Sequence, residues 1–130
     1  MAAPEDSVPP ELHELEALVM DIVWREGRST VREVLGILNA TEDRVRAYTT
    51  VLTIMQRLDD KGLLERERDG RTDVYRPALT AEVYRDRRAA ADIDDLLDRY
   101  EDEALVHFAR RLARLDPDRR RRLQRLARRD

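Results

Sequence analysis

The chain has 130 residues, 41% of them charged and only 5% aromatic, with a formal charge of −3. That length allows one domain, or a domain of about 80 residues with an accessory arm, and excludes a large enzyme with a second substrate domain. The lack of cysteine excludes disulfides, zinc fingers, iron–sulfur ligation and thiol chemistry. His13 and His107 stand far apart, and neither belongs to a HExxH or HxH arrangement, so no metal and no cofactor is expected. No apolar stretch approaches the roughly 20 residues that cross a bilayer. The first ten residues lack the basic start and apolar core of a signal peptide. The expectation is a soluble cytoplasmic protein with no direct membrane association.

Composition shifts near Pro77. Residues 1–80 carry 11 basic and 16 acidic side chains, whereas residues 81–130 carry 14 and 12. All four glycines fall in the first part, where turns are wanted. This divides the chain into a flexible tail over 1–11, a folded domain over 12–79 and a helical arm over 80–130.

The first helix follows Pro9-Pro10, with Leu12, Leu15, Val19, Ile22 and Val23 recurring at three- and four-residue steps, and ends near Gly27. Thr30-Val31-Arg32-Glu33 has the form of a capping box and opens a second helix, closing around Gly36 to Asn39. A third helix is predicted from about Glu42 to Lys61, roughly 30 Å long. With Tyr48 at zero on a 100° wheel, Val51, Leu52, Met55 and Leu58 fall within about 80° of it as an apolar stripe. Tyr48 and Tyr75 read as core or core-edge aromatics. Gly62 suits the positive-φ residue that ends a helix.

Two extended candidates, Leu63 to Arg68 and Arg71 to Arg76, flank Asp69-Gly70, a strong hairpin signal in which both residues tolerate a type I′ turn. The predicted fold is therefore mainly α with a small β-hairpin. It is a winged helix-turn-helix domain followed by a C-terminal helical arm.

In such a domain the second helix of the pair enters the major groove. Here that helix carries Arg46, Thr50, Thr53 and Arg57 opposite its apolar stripe, with Thr49 at the edge. Threonine hydroxyls can bond bases or phosphates, their methyls can touch thymine methyls, and arginine can bridge the guanine edge. Three threonines also cost helix propensity without serving the core. The wing adds Arg66, Arg68 and Arg71. Residues 44–76 hold eight basic and six acidic side chains, a local surplus within a negative chain. Lys61, beside Gly62, can contact a backbone phosphate or serve as a C-terminal dipole partner.

Several segments together resemble the penicillinase-repressor family, which also includes the methicillin-resistance and copper-responsive repressors. They are Leu15 to Trp24, Thr30 to Leu35, Ala47 to Leu58, Lys61-Gly62-Leu63, Gly70-Arg71 and Tyr75-Arg76-Pro77. The Tyr48-Thr49-Thr50-Val51 run with Arg57-Leu58 and Lys61-Gly62-Leu63 is the specific part. The resemblance implies a cytoplasmic homodimeric repressor on palindromic operators of resistance genes. It puts Arg46, Thr49, Thr50 and Thr53 at the groove, Arg57 and Lys61 near phosphates, and Arg68 and Arg71 on the wing. It further implies inactivation by cleavage in the C-terminal arm, triggered by a membrane sensor-protease, with the bond between His107 and Phe108 as the target. The cysteine cluster of the copper-responsive branch is missing.

The arm supplies apolar residues at helical spacing: Val83, Tyr84, Leu96, Leu97, Tyr100, Leu105, Phe108, Leu112, Leu115, Leu123 and Leu126. A thin 50-residue extension cannot bury such stripes by itself, so they are expected to form a homodimer seam. Twofold symmetry then predicts an inverted-repeat operator in double-stranded DNA. The alternative is a winged-helix module that binds protein without specific DNA binding, for which the net charge and the acids of the wing speak. No enzyme is expected: the chain has no glycine-rich phosphate cradle, no cysteine nucleophile and no clustered histidines.

Overall fold

The structure, a computed structural model, describes residues 8–129. Its elements are α1 (Glu14–Glu26), α2 (Val31–Thr41), α3 (Tyr48–Asp60), β1 (Leu64–Asp69), β2 (Thr72–Pro77), α4 (Ala81–Tyr100), α5 (Asp102–Ala113) and α6 (Pro117–Ala127). The mainly helical fold with one small antiparallel ribbon agrees with the sequence reading. The chain forms two units that divide between Ala89 and Ala90, within α4 and beyond the 79–80 boundary that composition suggested.

The first unit closes around side chains from every one of its early elements. Val19, Met20 and Val23 of α1, Val34 and Leu38 of α2, and Val51, Met55 and Leu58 of α3 are buried with Leu63, Leu64 and Tyr75. Tyr84 joins this core: it is 8% exposed, its ring lies 5.4 Å from that of Trp24, and its hydroxyl donates to the Pro10 carbonyl at 2.9 Å. Tyr84 was expected at a dimer seam, and its packing corrects that placement. Arg88 donates to the Pro9 carbonyl at 3.2 Å and pairs with Glu11 at 3.1 Å. Residues 9–11 of the expected tail are therefore held against the start of α4, while 1–7 lie outside the described residues.

Local signals explain most helix ends. Thr30 Oγ1 accepts from the Glu33 amide at 3.1 Å, and the Glu33 carboxylate accepts from the Thr30 amide at 3.3 Å, so the capping box forms. α2 runs past Gly36 to Thr41, because Leu38 extends its buried stripe and the solvent side of Gly36 is open. At the end of α3, Gly62 has φ 78°, its amide bonds Asp59 and the Leu63 amide bonds Leu58. This is a Schellman motif, and buried Leu63 supplies its apolar contact.

In the ribbon, Asp69 pairs with Thr72, so Gly70 and Arg71 form the two-residue turn. Only Gly70 has positive φ, at 65°, which is the type II′ pattern and corrects the expected type I′ turn on Asp69-Gly70. Ser29 adds a third partner to the sheet, exchanging two backbone bonds with Tyr75 at 2.8 and 2.9 Å.

In the second unit α4 runs unbroken to Tyr100, and the break before α5 falls at Glu101, whose φ is 51°. Asp116 caps α6 by accepting from the Asp118 and Arg119 amides, with Pro117 at the first turn. No side chain of α5 or α6 is buried. No helix among the described residues is long and apolar enough to cross a membrane.

Candidate nucleic-acid interface

α3 has 13 residues, about 20 Å of helix, because residues 42–47 form a turn that the sequence reading had placed inside it. The turn is set by Asn39 near the end of α2. Its Oδ1 accepts from the Arg46 amide at 2.8 Å and its Nδ2 donates to the Arg46 carbonyl at 3.0 Å, in the manner of a strand pair. Arg46 therefore stands before α3, half-buried, with its Nε buried and unpartnered.

The buried face of α3 is Val51, Ile54, Met55 and Leu58. Including Ile54 turns this face about 70° from Tyr48, on a 100° step per residue. Tyr48 is consequently 40% exposed instead of packed, and the Arg32 guanidinium lies 5.2 Å from its ring centroid. The opposite side presents Thr49, Thr50, Thr53, Gln56 and Arg57, all exposed. The threonines and Arg57 thus lie on the solvent side of α3, away from its buried face. Gln56 was missed: a wheel centred on Tyr48 leaves it at the flank, whereas the observed face includes it. Val45, 76% exposed on the turn, was also missed.

Lys61 has a different partner from the phosphates expected for it. Its ammonium lies 2.7 Å from Glu16 Oε2, and the Glu16 side chain is 1% exposed. Glu16 Oε1 accepts from the His13 amide at 3.0 Å, so both carboxylate oxygens are satisfied. Burial opposes the charge on Glu16, but the bonds from Lys61 and from the His13 amide prevail and hold its pKa below the ordinary carboxylate value.

On the wing, Arg66 and Arg68 share Asp73 at 4.0 and 3.4 Å, Arg76 pairs with Glu67 at 3.2 Å, and Arg28 reaches Asp69 at 3.2 Å. Exposed pairs of this kind contribute about 0–1 kcal/mol, so their guanidiniums exchange readily for a phosphate. Arg71, at the turn, has no ion pair among the described residues, and neither has Arg57. The hydroxyl of buried Tyr75 makes no well-formed hydrogen bond among the described residues, and burial pushes its pKa up against the nearby Arg66 charge.

In the second unit Leu96, Tyr100, Leu105, Leu112, Leu123 and Leu126 are exposed, and Leu97, Phe108 and Leu115 are half-buried. A cavity of about 360 Å³ opens among Leu96, Tyr100, Ala104 and Phe108. Val83, on the first turn of α4, is exposed. The bond between His107 and Phe108 lies in the middle of α5.

The sequence model of the penicillinase-repressor family matches residues 12–129. Transcriptional regulator BlaI of Mycobacterium tuberculosis is 40% identical over 113 residues, spanning 82% of this chain and 78% of that protein. The penicillinase repressor of Bacillus licheniformis is 29% identical over 75 residues, 58% of this chain and 57% of that one. The solution structure of the DNA binding domain of the repressor BlaI superposes with a TM-score of 0.51 at 28% identity, covering 60% of this chain and 92% of that one. With a winged-helix domain, a polar face on α3 and a family match over nearly its whole length, the chain belongs to the penicillinase repressors and is not an enzyme.

Proposed function

We propose that this repressor binds double-stranded DNA sequence-specifically, as a homodimer on an inverted-repeat operator. The exposed side of α3 lies in the major groove, where Thr49, Thr50, Thr53 and Gln56 meet base edges and Arg57 meets a base or a phosphate. Arg46 stands at the mouth of the groove, and Arg66, Arg68 and Arg71 of the wing reach the backbone. One observation carries the reading: α3 spends one side on the core and leaves the other, rich in threonine, free beside an arginine-tipped ribbon. The uncovered apolar side chains of α5 and α6 support the homodimer, since a partner copy offers the same surface.

The regulated genes in this reading are beta-lactam-resistance genes, and the compartment is the cytoplasm. Release follows cleavage between His107 and Phe108, downstream of a membrane sensor-protease. A bond in mid-helix resists a protease that binds extended chain, so α5 must unwind locally before it is cut.

Selection of bound duplexes from a random library, followed by titration of Thr50→Ala and Arg57→Ala, tests the reading. Loss of about 1–3 kcal/mol of discrimination at defined base pairs, with the fold retained, is expected. No enriched sequence from the wild-type protein would overturn it.

A further inference from the structure

Between the start of α2, the start of α3 and the wing lies a polar cleft of about 220 Å³, which includes Arg32, Tyr48, Arg71, Thr72 and Asp73 in its lining. Two arginines from separate elements line it. Arg32 lies over the Tyr48 ring, which restricts its rotamers while leaving its donors free, and Arg71 is held at the tip by the Gly70 turn. Thr72 adds a hydroxyl. The acid in the lining, Asp73, is already engaged by Arg68 at 3.4 Å and Arg66 at 4.0 Å. Of the acids next to lining residues, Glu33 is turned onto the Thr30 amide as a cap and Asp69 pairs with Arg28 at 3.2 Å. The cleft therefore offers two cations and a hydroxyl to an anion, against the single acid of its lining.

We propose that this cleft is a clamp for a single DNA backbone phosphate, gripped from two sides by Arg32 and Arg71 and lined by Tyr48. The inference rests on the DNA-binding reading and deepens it. The first helix of a helix-turn-helix pair crosses the backbone, which brings the start of α2 to a phosphate while α3 occupies the groove. A tetrahedral phosphodiester takes donors from two directions, and Arg is suited to it by its planar fork. The clamp fixes register and reads no base.

The test uses the full chain and a 24-base-pair duplex of mixed sequence, titrated by fluorescence anisotropy between 50 and 200 mM NaCl. Each phosphate neutralised contributes about 0.9 to the slope of log affinity against log salt. If Arg32 and Arg71 share one phosphate, the double variant Arg32→Ala/Arg71→Ala loses about one unit of slope per protomer, not about two. Tyr48→Leu leaves the charge unchanged, so it lowers affinity several-fold at fixed salt without altering the slope. The pair Arg122→Ala/Arg125→Ala in α6 removes the same two charges far along the sequence and corrects for net charge. Wild-type slope retained in the double variant overturns the clamp and leaves the DNA-binding reading intact. A loss of two units overturns the shared phosphate. A flat salt dependence in the wild-type protein overturns both.

Discussion

The ammonium of Lys61 and the carboxylate of Glu16 meet at 2.7 Å across the first unit, joining the end of α3 to the first turn of α1. Breaking such a pair from one side leaves a buried charge uncompensated. Lys61→Met should therefore cost about 3 kcal/mol, and Glu16→Gln less, because the lysine it frees can reach water. Chemical denaturation of the two variants checks the order.

The same pair sets a pH dependence. Glu16 titrates below the ordinary 4.5 in the folded chain, so its contribution is complete above that value and is lost as pH falls through the lower folded one. In Lys61→Met burial is opposed only on the His13 side, so the Glu16 pKa rises from its wild-type position. The destabilisation by Lys61→Met should then be largest at neutral pH and shrink in acid, as thermal melts across pH 3–7 would show.

Asn39→Ala removes both bonds that hold the Arg46 backbone. About 1–3 kcal/mol of stability should go, and operator affinity should fall further than stability alone explains, since the turn before α3 loses its fixed form. Asn39→Asp keeps the acceptor for the Arg46 amide and should recover part of the loss. Equal affinity in Asn39→Ala and the wild type would show that the turn does not position the interface.

Tyr75→Phe deletes a buried hydroxyl that makes no well-formed hydrogen bond among the described residues. The variant should be at least as stable as the wild type, whereas Tyr75→Ala should lose about 3–5 kcal/mol through the cavity it leaves. Thermal unfolding distinguishes the two.

Glu101 has φ 51° and ψ −121°, a conformation that strains any residue with a Cβ. Glu101→Gly should raise the stability of the full chain by about 1 kcal/mol, measured by urea unfolding. Glu101→Val should lower it.

Leu112→Asp, on exposed α5, should weaken dimerisation at least about tenfold in sedimentation equilibrium while the first unit keeps its melting transition. An unchanged dissociation constant would remove α5 from the seam.

Much of the first unit was legible because its signals are local. The capping box at Thr30, the glycine after α3 and the glycine of the hairpin turn each specify a short backbone geometry. The misplacements have a common physical origin in contacts between distant residues. The turn before α3 depends on Asn39, seven positions from Arg46, and no periodicity encodes that pair. Tyr84 matches a seam residue by spacing, yet Trp24 and Pro10 take it into the first core. Lys61 has the charge for a phosphate, but the buried acid opposite it lies 45 residues earlier. Tyr48 misled the wheel because one aromatic was given the centre of a stripe that Ile54 shifts.

Because Ser29 is bonded to Tyr75 on both sides of its peptide, the residue that leads into α2 and the returning strand of the ribbon form one stiff piece. The gap between the two jaws is thus gauged during folding, so a duplex that arrives need not shape it.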